Sequence, residues 1–199
     1  MKNFFIDPFQ SFFFDRAIPF DIAILSLLVI FLPVVLITGP ALPDIFLSIV
    51  ASYFFIKSIF FKIWTYYKNP LVIGFLLFSA YGILRSLFYE LPWQSLSNEG
   101  SIFYFRYIFF ALGIWYLLDN NPYLPKCLLM VSLICLFVVC LDGLYQYILD
   151  INIFGNEKYN KFRLTGFFGD EPIIGRYIAY ISIFTFALIH QIFPKTKFM

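Results

Sequence analysis

"KCLLMVSLICLFVVCLDGLYQYIL", residues 126–149, decides what kind of fold this chain can adopt. Apart from Lys126 at its start it holds one charged side chain, Asp142, and it is long enough as a helix to cross a hydrocarbon core of roughly 30 Å. Lipid offers a backbone no water to bond with, so this stretch must satisfy its own N–H and C=O groups as a helix. Five comparable runs accompany it, at about 20–38, 42–61, 70–89, 102–118 and 173–193. The breaks between runs carry the signals that stop helices: "TGPALP", "KNP", "ELPWQSLSNEG", "DNNPYLPK" and "DINIFGNEKYNKFRLTGFFGDEP". The expectation is an all-α polytopic membrane bundle of about six transmembrane helices, a single domain over 1–199 with an external loop at 150–172.

Composition points the same way. Apolar residues make up 61% of the chain, aromatics 23% and charged residues only 13%, with a mean hydropathy of +0.83. A soluble domain carries about twice that charge fraction. The net charge of +2 is small and scattered between apolar runs, which excludes a nucleic-acid surface. Residues 1–19 combine Asp7, Asp15 and Pro8 without a small-residue cleavage site, so an amphipathic interfacial segment fits better than a removable signal peptide.

The positions of Lys and Arg set the orientation. With the N-terminus inside, cytoplasmic segments hold Lys2, Arg16, Lys57, Lys62, Lys68, Lys126, Lys195 and Lys197, while the acidic connection with Glu90 and Glu99 falls outside. Both termini are then cytoplasmic and the 150–172 connection faces out, although Lys158, Lys161 and Arg163 there run against the rule.

Soluble-enzyme signatures are absent: no P-loop, dinucleotide fingerprint, nucleophile elbow or metal-ligand spacing occurs. Cys127, Cys135 and Cys140 lack C-x-x-C spacing and suit membrane packing. His190, beside Gln191 near the cytoplasmic end of the sixth run, suits an interfacial or packing role.

Ionisable groups within membrane helices are costly and face protein or a wet cavity. At 1.5 Å per residue, Arg106 and Arg85 lie roughly 6 Å, and Asp142 roughly 10 Å, below the outer ends of their helices. Gln146, one turn above Asp142, shares its face. With Arg163 and Arg176 these groups fit the lining of an outward-opening cationic cavity; equally, Arg85 suits snorkelling to headgroups and Arg106 with Asp142 suits a structural ion pair. Asp21 and Asp44 sit at helix starts, where carboxylates cap and complement the dipole.

"FRLTGFFGDEPIIGRYIAY", residues 162–180, concentrates polar chemistry in an otherwise oily chain. Arg163 and Arg176 supply guanidinium forks for phosphate oxygens, Gly166 and Gly169 allow close backbone approach, and Pro172 suits the first turn of the next helix. The outline is that of an anion site, or of a glycine-containing turn with surface charges.

Arg163-Leu-Thr-Gly166-Phe-Phe-Gly169-Asp170-Glu171-Pro172, running into Ile173-Ile-Gly175-Arg176-Tyr177, resembles the Arg-x-x-Gly segment of the O-antigen ligase family, which includes lipopolysaccharide O-antigen ligases and O-antigen polymerases. "ITGPALPDIFLSIVASYFFI", "FYFRYIFFALGIWYLLD" around Arg106 and "LDGLYQYILDINIFG" are similar in kind. The resemblance, to the N-terminal half of such enzymes, implies a multi-pass glycosyltransferase of the bacterial inner (plasma) membrane. It implies a polyprenyl-diphosphate-linked glycan as donor and lipid A-core or another glycan as acceptor, with membrane lipids around it, no nucleotide-sugar and no cofactor or obligatory metal. Arg163 carries over most directly as a diphosphate ligand, with Gly166, Arg106, Arg176, Asp142 and Arg85 as further candidates for the donor site. The chain has "DEP" where the family often has Asn-Pro. A transporter or flippase subunit for a lipid-linked anion is the alternative that the same intramembrane charges permit.

Overall fold

The protein is seen in a computed structural model that describes residues 12, 18–88, 103–158, 163–169 and 171–193. Its elements are α1 (Phe20–Val35), α2 (Ala41–Phe60), α3 (Pro70–Leu87), α4 (Phe105–Asn120), α5 (Leu124–Leu149) and α6 (Ile174–Ile192), with 3-10 turns at Tyr66–Lys68 and Gly166–Phe168. Among the described residues there is no strand, only an isolated bridge between Ile151 and Glu157. The all-α class expected from the apolar runs is the class observed. The interfacial reading of 1–19 falls almost wholly outside the described residues, as does the acidic connection with Glu90 and Glu99.

Three helices, α2, α3 and α5, are long and apolar enough to cross a membrane. The other three runs fall short of that standard for physical reasons. α1 and α4 have 16 residues each, which at 1.5 Å per residue is roughly 24 Å, less than a hydrocarbon core. α6 has 19 residues, but Arg176, His190 and Gln191 dilute its apolar run. Large apolar side chains stand open on the long helices, with Leu71 74%, Phe78 70% and Ile148 73% exposed. Such surface is far beyond what a water-soluble monomer tolerates, and lipid is the solvent that suits it.

The chain groups into two compact units, Asp44–Asp119 and the pair Met1–Pro43 with Asn120–Met199. In the first unit, α2 and α4 run parallel. Asp44 meets Arg106 at their N-terminal ends, Gly113 faces Val50 and Phe54 midway, and the Phe54 and Tyr116 rings lie 5.9 Å apart further along. Gly113 is what lets the two backbones approach: a Cβ there would stand 2.9 Å from Val50 Cγ1 and 3.2 Å from the Val50 carbonyl oxygen. Asn69 starts α3 by accepting from Leu71 N at 2.9 Å, with Pro70 in the first position, where its missing N–H costs nothing.

In the second unit α5 is the core. Leu124, Cys127 and Val139 are fully buried, and Cys135 is buried as expected of a packing cysteine, whereas Cys140 is exposed. Asn121, just before α5, donates to Ser26 on α1 at 3.0 Å. α6 packs antiparallel to α5, since Ile174 meets Gly143 while Tyr177, one turn on, lies beside Cys135. At the end of α1, Ile37 N bonds to Val34 O instead of the carbonyl one residue earlier. That frees the Pro33 carbonyl, which accepts from the Tyr177 hydroxyl at 2.8 Å.

Candidate functional site

Two polar constructions stand out, one in each unit. In the first unit Arg106, the second residue of α4, points its Nη2 at Asp44 Oδ1, 3.0 Å away. The same nitrogen lies 3.4 Å from the Tyr107 hydroxyl, and the guanidinium carbon sits 5.2 Å from the Tyr107 ring centre. Its Nε is buried and has no hydrogen-bond partner among the described residues. Beside it lies a groove of about 200 Å³ lined by Ala51, Ser52, Phe55, Phe103, Arg106 and Phe109. One cation at a groove that is apolar but for Ser52 suits an amphiphile with an anionic head. The pair itself adds little stability, because its side chains are 30% and 49% exposed and such pairs contribute about 0–1 kcal/mol. Asp44 orients the guanidinium without consuming all its donors.

In the second unit, the loop after α5 is fastened to the last two turns of that helix. Gln146 is fully buried. Its Oε1 accepts from Thr165 N and Gly166 N, both at 2.9 Å, and its Nε2 donates to Thr165 Oγ1 at 3.0 Å. Longer contacts of 3.4 Å reach the carbonyls of Asn156 and Glu157. Asn152 completes the fastening by donating to the Gly166 carbonyl, while its Oδ1 accepts from Phe154 N at 3.0 Å and Asn156 N at 2.7 Å. Asp142 Oδ1 accepts from Ile153 N at 3.0 Å, and its Oδ2 is buried with no hydrogen-bond partner among the described residues.

Local conformation explains why glycine sits at this point. Gly166 has φ +56°, and a Cβ there would stand 2.7 Å from Ile174 Cδ1 and 3.1 Å from Asp142 Oδ2. Asp150 closes α5 in the left-handed region at φ 64°, which Asp tolerates better than most residues, and pairs with Lys158 across the tight turn that follows.

The expected site residues fall in both units. Within its own unit Arg106 pairs with Asp44, and within the other unit Asp142 is tied to the backbone of Ile153. Gly166 N–H bonds inward to Gln146, so it is not turned to a ligand. Arg163, Arg176 and Arg85 are exposed and form no ion pair among the described residues. Gln146 and Asp142 share a face, as their spacing predicts, but that face is buried against the loop. Sequence reasoning missed Asn152, Thr165 and the Asp44 partnership. An Asn preceding "IFGN" was a usable signal, because such side chains bond the backbone two residues on.

Comparison of the chain with protein-family models, with curated proteins and with solved structures found no match.

Proposed function

We propose that the protein is an O-antigen ligase-like glycosyltransferase of the bacterial inner membrane, a multi-pass protein that binds a polyprenyl-diphosphate-linked glycan and passes the glycan to lipid A-core or another glycan. The observation that carries this reading is Arg106, held by Asp44 at the edge of an apolar, aromatic-walled groove with its buried Nε unpaired. Phe55, Phe103 and Phe109 offer walls for an isoprenoid chain, and the guanidinium offers paired donors to a phosphate oxygen. Arg163, exposed on the fastened loop of the other unit, is a separate phosphate-binding candidate that the family resemblance supplies. Neutralising the diphosphate stabilises it as a leaving group, which is the electrostatic share of such a transfer.

The test is binding of a polyprenyl-diphosphate glycan to the full chain in nanodiscs. Arg106→Ala and Arg163→Ala are each expected to weaken binding by about 10- to 100-fold, the loss of one charge-assisted contact, with helicity unchanged. Unchanged affinity in both variants would sink the proposal. ATP-independent flipping of the lipid without glycan transfer, by a preparation that binds it, would favour the transport alternative.

A further inference from the structure

The connection between α2 and α3 is basic to an unusual degree for this chain. Between Asp44 and Glu90 there is no acidic residue, and Lys57, Lys62 and Lys68 gather at its two helix ends. Aromatic side chains surround them. Trp64, Phe60 and Phe61 are 51%, 78% and 70% exposed, the Trp64 and Tyr67 rings lie 5.6 Å apart, and Tyr66 meets Trp115 at 5.2 Å. Exposed aromatics mixed with lysines at the end of a membrane-crossing helix mark the headgroup level of a bilayer.

The lysines are arranged by more than charge. Lys57 donates to the Tyr53 hydroxyl and its ammonium lies over three rings, 4.9 Å from Tyr53, 5.4 Å from Tyr116 and 5.8 Å from Phe61. Lys62 ends α2 in a left-handed conformation, φ 54°, and Ile63 N returns to Ser58 O at 3.0 Å in the usual glycine-type helix stop. Glycine is the residue that takes this place without strain, so a lysine held there spends backbone energy on keeping its side chain. Lys62 and Lys68 are exposed. The carboxylate that approaches this cluster, Asp119, accepts from the Tyr66 hydroxyl at 2.8 Å, and the cluster stays net positive.

We propose that the 61–69 turn is a docking site for the headgroup of an anionic phospholipid, with Lys62 and Lys68 on the phosphate and Trp64 at the level of the glycerol backbone. Charge complementarity selects this occupant over a zwitterionic lipid, because each lysine near such a surface favours the anionic headgroup by roughly fivefold.

The experiment uses the full chain in bilayers, with Trp93→Phe and Trp115→Phe leaving Trp64 as the fluorophore. Brominated phosphatidylglycerol is expected to quench Trp64 at lower mole fraction than brominated phosphatidylcholine, by roughly fivefold or more, and the gap is expected to shrink at high salt. Lys62→Gln with Lys68→Gln is expected to abolish the preference. Lys62→Gly separates the site from the fold: it relaxes the helix stop, so thermal stability holds or rises while the preference falls. Equal quenching by the two lipids, or a preference that survives the double substitution, would overturn the proposal. Shielding of Trp64 that rises with protein density in pure phosphatidylcholine would also overturn it, by assigning the turn to a second copy of the chain.

Discussion

Gln146 is one side chain in a buried place with an unusual amount of hydrogen bonding resting on it. Gln146→Leu keeps the volume but leaves the N–H groups of Thr165 and Gly166 buried without acceptors, and each such orphan costs about 1–3 kcal/mol. A loss of about 2–5 kcal/mol is expected by thermal unfolding in detergent, together with faster proteolysis of the 150–168 loop while α5 stays helical. Gly166→Ala meets strain at φ +56° and a collision with Ile174, so a loss of about 1–3 kcal/mol is expected from the same melting measurement. Tyr66 gives a pH signature. Its hydroxyl titrates well above the ordinary value near 10, through burial first, then the hydrogen bond to Asp119 and that carboxylate's charge. A raised folded value means the contribution is intact below pH 10 and is lost as pH climbs toward the folded value. Alkaline titration of stability is therefore expected to fall above pH 10 and to fall less steeply in Tyr66→Phe.

At the scale of elements, the Gly113 contact decides whether α2 and α4 can lie together. Replacing a helical glycine by alanine ordinarily gains about 0.5–1 kcal/mol, but forcing a carbon against Val50 costs about 1–3 kcal/mol, so packing wins and Gly113→Ala is expected to destabilise. Gly113→Leu should part the helices, read as loss of an engineered crosslink between positions 54 and 116, which meet along the same contact. The apolar runs made helix positions legible in the sequence, and the break "KNP" fell where α3 begins. Helix pairing was not legible. Depth alone put Arg106 and Asp142 at one level, yet the partner of Arg106 is Asp44, whose position in the first turn of α2 had suggested a cap instead. The run at 42–61 placed the end of α2 within a residue of Phe60, even though lysine fills the place where glycine would have signalled the stop. For the candidate site, the i, i+4 spacing of Asp142 and Gln146 correctly placed both on one face, but no side-chain pattern announces a partner made of loop amides.

Across the whole molecule, burial is uneven in a way that suits lipid. Of the three long apolar helices, α5 has 56% of its crossing window buried within the protein, α2 22% and α3 only 11%. α5 is therefore scaffold, while α2 and α3 present themselves to the surrounding acyl chains. At 26 residues α5 is also roughly 39 Å long, more than a hydrocarbon core requires. The fastening of the loop to α5 has an evolutionary consequence. Gln146 and Asn152 grip the loop by its main chain and by Thr165, whereas Ile153, Phe154 and Arg163 point away from the grip. Descendants of this chain can therefore exchange the outward residues one at a time, and acquire new recognition there, while inheriting the same loop geometry from the helix beneath.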